Sequence, residues 1–304
     1  MKVLVTGACG LLGHDVMNEL SVRKHDGIGS DIAPAYNGIA DGTPVCTMPY
    51  TILDITDEQA VREVLHRVRP DAVIHCASWT AVDAAEDDEN SEKVFSVNVD
   101  GTRYLAEACR ALECKMIYIS TDYVFGGQGN APWKPDCKDF GPLSVYGKTK
   151  LEGERAVVFS TKDHYIVRTA WAFGSNGNNF VKTMLHLGRT HDTLRVVCDQ
   201  IGTPTYTPDL ARLLVDMIET EEYGFYHATN EGGYISWYDF ACEIFRQAGM
   251  DVKVLPVTTA EYGASKAVRP LNSRLDKSKL REHGFTLLPD WRDALTRYLS
   301  DHHM

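Results

Sequence analysis

Short runs of consecutive apolar residues recur through the first half of the chain, each followed by a stretch with helical spacing of its apolar positions. Val3-Leu4-Val5, Ala72-Val73-Ile74 and Met116-Ile117-Tyr118-Ile119 are apolar at every position. A strand of that kind is covered on both faces, as in a parallel sheet, whereas a half-wet antiparallel strand alternates. Strands are expected over 2–6, ending at Asp31, over 53–55, 71–77, 115–120 and 164–168. Helices are expected from residue 13 through Leu20, from a Thr56-x-x-Gln59 capping box to just before Pro70, over 90–113, and over the stretch carrying Tyr146. Strand alternating with helix predicts right-handed βαβ units, and so an α/β fold with a doubly wound parallel sheet over 1–168. From Thr169 onward the alternation loosens. A smaller, discontinuous α/β lobe is expected over 169–304, with segments around 194–222 returning to the first unit.

The punctuation between these elements carries the candidate chemistry. Gly7-Ala8-Cys9-Gly10-Leu11-Leu12-Gly13 follows the first strand and opens a helix. Glycines there allow a tight turn and close approach of backbone to a pyrophosphate on the helix N-terminus. The spacing is Gly-x-x-Gly-x-x-Gly, not the usual Gly-x-Gly-x-x-Gly. Asp31, at the end of the second strand, is placed to bond the adenosine ribose and to disfavour a 2′-phosphate. Cys76, Ala77 and Ser78 are small, as expected where backbone passes a cofactor. Thr121 and Asp122 lie at the carboxyl end of a central strand, where open α/β sheets bind ligands, and a hydroxyl there can hold a substrate oxygen. Tyr146 and Lys150 are four residues apart, on one face of a helix. A lysine cation beside a phenol lowers its pKa and makes it a usable proton donor to a carbonyl. A second pair with this spacing, Tyr262 and Lys266, lies away from any dinucleotide strand and reads as structural or solvated.

Charge and cysteine content narrow the classes. A net charge of −11 argues against general nucleic-acid binding. The 8 cysteines show neither a Cys-x-x-Cys pair nor a zinc spacing, so no metal site is expected. No apolar run reaches membrane-spanning length, and the first strand begins at once, which leaves no room for a signal peptide. A reduced, cytoplasmic protein is the expectation, with no membrane partner.

The glycine loop, Thr121 and the Tyr146/Lys150 pair together resemble the extended short-chain dehydrogenase/reductases. More narrowly, the chain is similar to the dTDP-4-dehydrorhamnose reductases. The matching segments are Tyr118-Ile119-Ser120-Thr121-Asp122-Tyr123-Val124-Phe125, the stretch from Pro142 through Tyr146-Gly147-Lys148-Thr149-Lys150 to Glu154, Arg168-Thr169-Ala170-Trp171, Gly177-Asn178-Asn179-Phe180 and Arg269-Pro270-Leu271-Asn272-Ser273-Arg274-Leu275. The resemblance implies a Rossmann-type fold and reduction of a 4-keto nucleotide sugar by NADPH or NADH. Tyr146 would be the proton donor, Lys150 its partner and a ligand of the nicotinamide ribose, and Thr121 the holder of the keto oxygen. It further implies that Gly7, Gly10, Leu11, Leu12, Gly13, Asp31, Asp54, Ile55, Ala77, Ser78, Trp79, Thr80 and Asn98 bind the cofactor with Tyr146 and Lys150. Val82, Asp122, Trp171, Asn179 and Arg269 would join Thr121 and Tyr146 on the substrate, Trp171 against the sugar and Arg269 on the diphosphate. A homodimer is compatible with this reading. Two rivals share the pattern: a regulatory protein similar to the β subunit of methionine adenosyltransferase, and a nucleotide-sugar epimerase or dehydratase. Dehydratases carry an acidic pair after the strand-end hydroxyl; here Asp122 is followed by Tyr123. Trp171 and Gln200-Ile201-Gly202-Thr203-Pro204 favour the reductase over the regulatory protein.

Overall fold

The computed structural model describes residues 1–263 and 265–301; residue 264 and residues 302–304 of the expected C-terminal lobe lie outside them. In chain order the first unit runs β1 (Lys2–Thr6), α1 (Leu11–Val22), β2 (Asp26–Asp31), β3 (Tyr50–Ile52), α2 (Glu58–Val68) and β4 (Ala72–His75). Then come α3 (Ser91–Phe95), a π turn (Ser96–Asp100), α4 (Gly101–Leu112), β5 (Lys115–Thr121), α5 (Val145–Ser160) and β6 (His164–Thr169). The remainder is β7 (Ala172–Phe173), α6 (Phe180–Gly188), β8 (Thr193–Val197), β9 (Ile201–Gly202), β10 (Thr205–Tyr206), α7 (Thr207–Ile218), β11 (Gly224–His227), β12 (Ile235–Ser236), α8 (Trp237–Gln247), β13 (Lys253–Val257), α9 (Thr259–Tyr262), α10 (Ser278–Glu282) and α11 (Trp291–Asp301).

The continuous apolar runs become the middle of a seven-stranded sheet of order β11-β6-β5-β4-β1-β2-β3. Every neighbouring pair is parallel. Val3, Leu4, Val5, Val73, Ile74, Met116 and Ile117 are fully buried. One face packs on α1 and α7 through Val16, Leu20, Leu210 and Leu214; the other packs on α2, α4 and α5 through Leu65, Leu105 and Val157. This is a Rossmann-type, doubly wound sheet, and strand order reverses between β1 and β4. The crevice above their carboxyl ends is the natural ligand site of such a sheet. The chain re-enters this layer through α7 and β11. Residues 194–197, at the start of the 194–222 stretch expected to return, lie in β8, which pairs instead with Lys253–Val257 in the smaller lobe.

That lobe has its own aromatic core of Phe173, Phe240, Trp291 and Tyr298 between α6, α8 and α11. Two local details depart from the sequence reading. Asp57, not Thr56, caps α2, its side chain accepting from Ala60 N at 3.0 Å. Thr56 is occupied by the Asp54 carboxylate at 2.7 Å. The expected helix over 90–113 is interrupted by the π turn at Ser96–Asp100. The wider turn lets the Asn98 side chain reach inward, as π bulges do at functional sites.

Candidate active site

The sheet's switch point builds a cradle for a phosphate-bearing ligand. Gly7 turns the chain at φ +68° and accepts from Gly10 N at 2.9 Å. A Cβ on Gly13 would stand 2.1 Å from Gly7 O, so the helix can sit this close to the turn only without a side chain there. Gly10 is the N-cap of α1, provides no side-chain cap, and the first turn contains no acid. The positive end of the helix is therefore left for an anion, and these residues fit a dinucleotide pyrophosphate. Asp31 sits beside the cradle: its carboxylate accepts from Cys9 N at 3.2 Å and from Ile32 N at 2.8 Å. Asn176 closes the cradle from the lobe side, a residue that the sequence reading does not single out. Its Nδ2 donates to Cys9 O at 2.8 Å and to Gly10 O at 2.9 Å, and its Oδ1 accepts from Ile39 N at 3.0 Å.

Beyond β4 the chain runs through Ala77, Ser78 and Trp79, held by Asn98 from the π turn. Asn98 Oδ1 accepts from Ser78 Oγ at 2.9 Å and Trp79 N at 2.8 Å; its Nδ2 donates to Thr149 Oγ1 at 3.1 Å. Thr80 is exposed. Asp54 is exposed and spent on Thr56, while Ile55 is buried against Gly101.

The reactive groups come from β5 and α5. Ser144 caps α5 by accepting from Gly147 N at 3.1 Å. A Cβ on Gly147 would lie 2.4 Å from Tyr123 O, so the glycine between Tyr146 and Lys150 lets the helix press onto the turn after β5. That contact brings Tyr146 to Thr121. The Thr121 hydroxyl donates to Asp122 Oδ1 at 3.0 Å and accepts from Tyr123 N at 3.2 Å, and it lies near enough to the Tyr146 phenol to pull its pKa down. Tyr123 packs edge-on against Tyr146 at 5.5 Å.

The electrostatics differ from the sequence expectation. Burial, and then the Asp122 carboxyl, push the Tyr146 pKa well above the ordinary phenol value; the Thr121 hydroxyl pulls the other way. Burial lowers Lys150 to about 7, opposed by Glu154 and Cys76. Its ammonium lies 4.1 Å from the Tyr118 ring centroid. Lys150 is thus poised between charge states near neutral pH, and in this structure the phenol is held in its acid form. Burial also raises Asp122 to about 6. A phenol kept protonated near a hydroxyl can deliver a proton to a carbonyl oxygen placed between them.

A cavity of about 500 Å³ opens beside Tyr123. Phe180, Met184 and Trp237 form an apolar wall, and Arg269 and Asp83 stand at its polar side. Arg269 is tied to Asp83 at 3.1 and 2.7 Å, joining lobe and sheet across the opening. The other expected substrate residues fall differently. Trp171, at φ +51°, stacks on Trp237 at 3.7 Å, and Trp237 lines the cavity. Asn179 is spent as the N-cap of α6, accepting from Lys182 N at 3.1 Å and donating to Gly174 O at 2.8 Å. Val82 is half-buried next to Asp83. The second tyrosine–lysine pair is not on one helix face: Gly263 ends α9 at φ +63°, and Lys266 pairs with Asp87 at 2.6 Å. Among the described residues no cluster of three or more His, Cys, Asp or Glu could hold a metal ion, and no helix is long and apolar enough to cross a membrane.

With this geometry in hand, the chain compares with known proteins along its whole length. The model of the RmlD substrate binding domain matches residues 1–304. A dTDP-4-dehydrorhamnose reductase of Streptomyces griseus is 42% identical over 299 residues, covering 96% of this chain and 91% of the relative. The crystal structure of a dTDP-4-dehydrorhamnose reductase from Clostridium acetobutylicum superposes with a TM-score of 0.90 at 41% identity, covering all of both chains. That of a dTDP-4-dehydrorhamnose reductase from Bacillus anthracis, in complex with NADP, superposes with a TM-score of 0.88 at 38% identity over 99% of this chain and 100% of that one.

Proposed function

Because the chain belongs to the RmlD substrate-binding-domain family and is akin to dTDP-4-dehydrorhamnose reductases from end to end, we propose that it reduces the 4-keto group of dTDP-4-dehydro-6-deoxy-L-mannose to give dTDP-L-rhamnose, using NADPH or NADH. The observation that carries the reading is the close packing of the helix bearing Tyr146 on the turn after Thr121, with Tyr123 of that turn lining an apolar-walled cavity that ends in an arginine.

In this reading the glycine loop and the open N-terminus of α1 hold the pyrophosphate, Asp31 the adenosine ribose and Lys150 the nicotinamide ribose. The reduced nicotinamide, when bound, supplies the hydride. Thr121 holds the keto oxygen, and Tyr146 passes its proton to that oxygen. The ammonium of Lys150 stabilises the phenolate left behind. Trp237, stacked on Trp171, packs against the sugar, and Arg269, oriented by Asp83, meets the diphosphate with charge-assisted hydrogen bonds. Eight unpaired cysteines support a reduced, cytoplasmic setting. A homodimer accords with the reading.

The direct test mixes the protein with NADPH or NADH and the dTDP-4-keto sugar. Sugar-dependent loss of nicotinamide absorbance is expected, with the cofactor's labelled hydrogen at C4 of dTDP-L-rhamnose. No sugar-dependent oxidation with either cofactor overturns the assignment and favours a regulatory role.

A further inference from the structure

Four residues after Lys150, and eight after Tyr146, the same helix carries Glu154, which is almost wholly buried. Its Oε1 accepts from Ser120 Oγ at 2.5 Å and from Arg168 Nε at 2.7 Å; its Oε2 accepts from Arg168 Nη2 at 2.7 Å. Ser120 immediately precedes Thr121. Arg168, also buried, reaches on to Pro135 O at 2.9 Å and lies over the rings of Phe125, Phe140 and Phe225. We propose that Glu154 is a positioning residue of the reductive site: held by Arg168 and Ser120, its carboxylate anchors the strand end that carries Thr121 to the helix that carries Tyr146, and it keeps Lys150 charged. The inference rests on the roles proposed above for those three residues.

The surroundings of Lys150 leave this task to Glu154. On β4, His75 is neutral, lowered by burial to about 3, and just beyond it the Cys76 thiol is neutral, raised by burial to about 12. From β5, the Tyr118 hydroxyl is raised well above its usual value by burial. Tyr146 on the same helix is protonated, and Asn98 and Thr102 from the π turn and α4 are uncharged. Asp122 acts on Tyr146, and Glu86 accepts from Val145 N at the start of α5. His227, beyond Arg168, is neutral, lowered by burial and by that arginine. With the Cys76 thiol neutral, Glu154, one helical turn from Lys150 on the same face of α5, is the negative group that favours its ammonium. Removing its charge leaves Arg168 opposite Lys150, and both effects disfavour the ammonium.

The test follows the lysine without cofactor or turnover. In protein carrying ¹³C-labelled lysine, the Lys150 signal, identified by its loss in Lys150→Met, is titrated by NMR in wild type and Glu154→Gln. The midpoint is expected to fall by at least about one pH unit, a tenfold loss of proton affinity, and Glu154→Asp to restore part of it. In parallel, the alkaline limb of kcat/KM should move to lower pH in Glu154→Gln. If the midpoint moves and the limb does not, the charge-holding role of Glu154 is upheld and the catalytic role given to Lys150 falls. An unchanged midpoint, with activity lowered equally at every pH, overturns the proposal and leaves Glu154 as a structural ion pair. Should Glu154→Gln fail to fold, the midpoint is read in Glu154→Asp, whose carboxylate is drawn back from the lysine: a smaller fall supports the proposal and no fall overturns it.

Discussion

Thr121 uses its hydroxyl twice, toward Asp122 and Tyr123 N, beside the Tyr146 phenol. A residue with that many local partners is tested by separating the hydroxyl from the shape. Thr121→Ser keeps the oxygen and is expected to stay within a few-fold of wild type. Thr121→Val keeps the outline and loses the donor, and should cost about 10²-fold in kcat, as when one oxyanion donor is removed. Cofactor affinity should be unchanged in both. Equal kcat for the valine and wild-type enzymes would remove Thr121 from the proposed chemistry. The residue types of this centre were visible in the sequence because their reason is chemical: a strand-end hydroxyl and a phenol–lysine pair. The protonation balance was not visible, because burial sets it. A lysine expected to lower the tyrosine's pKa is itself lowered by burial to about 7, while burial and Asp122 act on the phenol in the opposite sense.

At the scale of single elements, α6 shows how spacing misleads. Asn179 follows a strand-and-turn segment and stands where a ligand contact is plausible, yet the helix start uses both ends of its amide. Asn179→Ala should cost about 1 kcal/mol through the lost cap, read as a Tm lowered by about 2–4 °C, with KM for the sugar unchanged. A raised KM at unchanged Tm would return Asn179 to the substrate site. The same logic explains α2, where Asp57 rather than Thr56 caps, since Asp54 already holds the threonine hydroxyl. It also explains α5, in which Tyr146, Lys150 and Glu154 form one face. The first two are legible as chemistry; the third reads from sequence as an ordinary helix acid. Only the approach of Ser120 and Arg168 from two strands shows what it does. Breaking such a buried pair by removing one partner typically costs about 3–5 kcal/mol.

For the whole molecule, the middle of the seven-stranded sheet was readable because β1, β4 and β5 are apolar runs covered on both faces, whereas β2 carries Gly27 and Gly29 inside it, β3 lies at 50–52 rather than the expected 53–55, and β11 is not among the expected strands. The way the lobe completes the site was not readable, because it depends on residues far apart in sequence. Asn176 holds the glycine loop across more than 160 positions, Trp237, stacked on Trp171, lines the cavity wall, and Asp83 meets Arg269 from the opposite side of the opening. These contacts make the opening a joint product of sheet and lobe, and the proposed reaction sets Tyr146 between them. The most direct measurement of the account is therefore single-turnover oxidation of bound NADPH by the dTDP-4-keto sugar in wild type and Tyr146→Phe. The account predicts a rate at least ~10²-fold lower in the variant, the usual scale for a positioned proton donor, with NADPH affinity unchanged. A wild-type rate in Tyr146→Phe would contradict it.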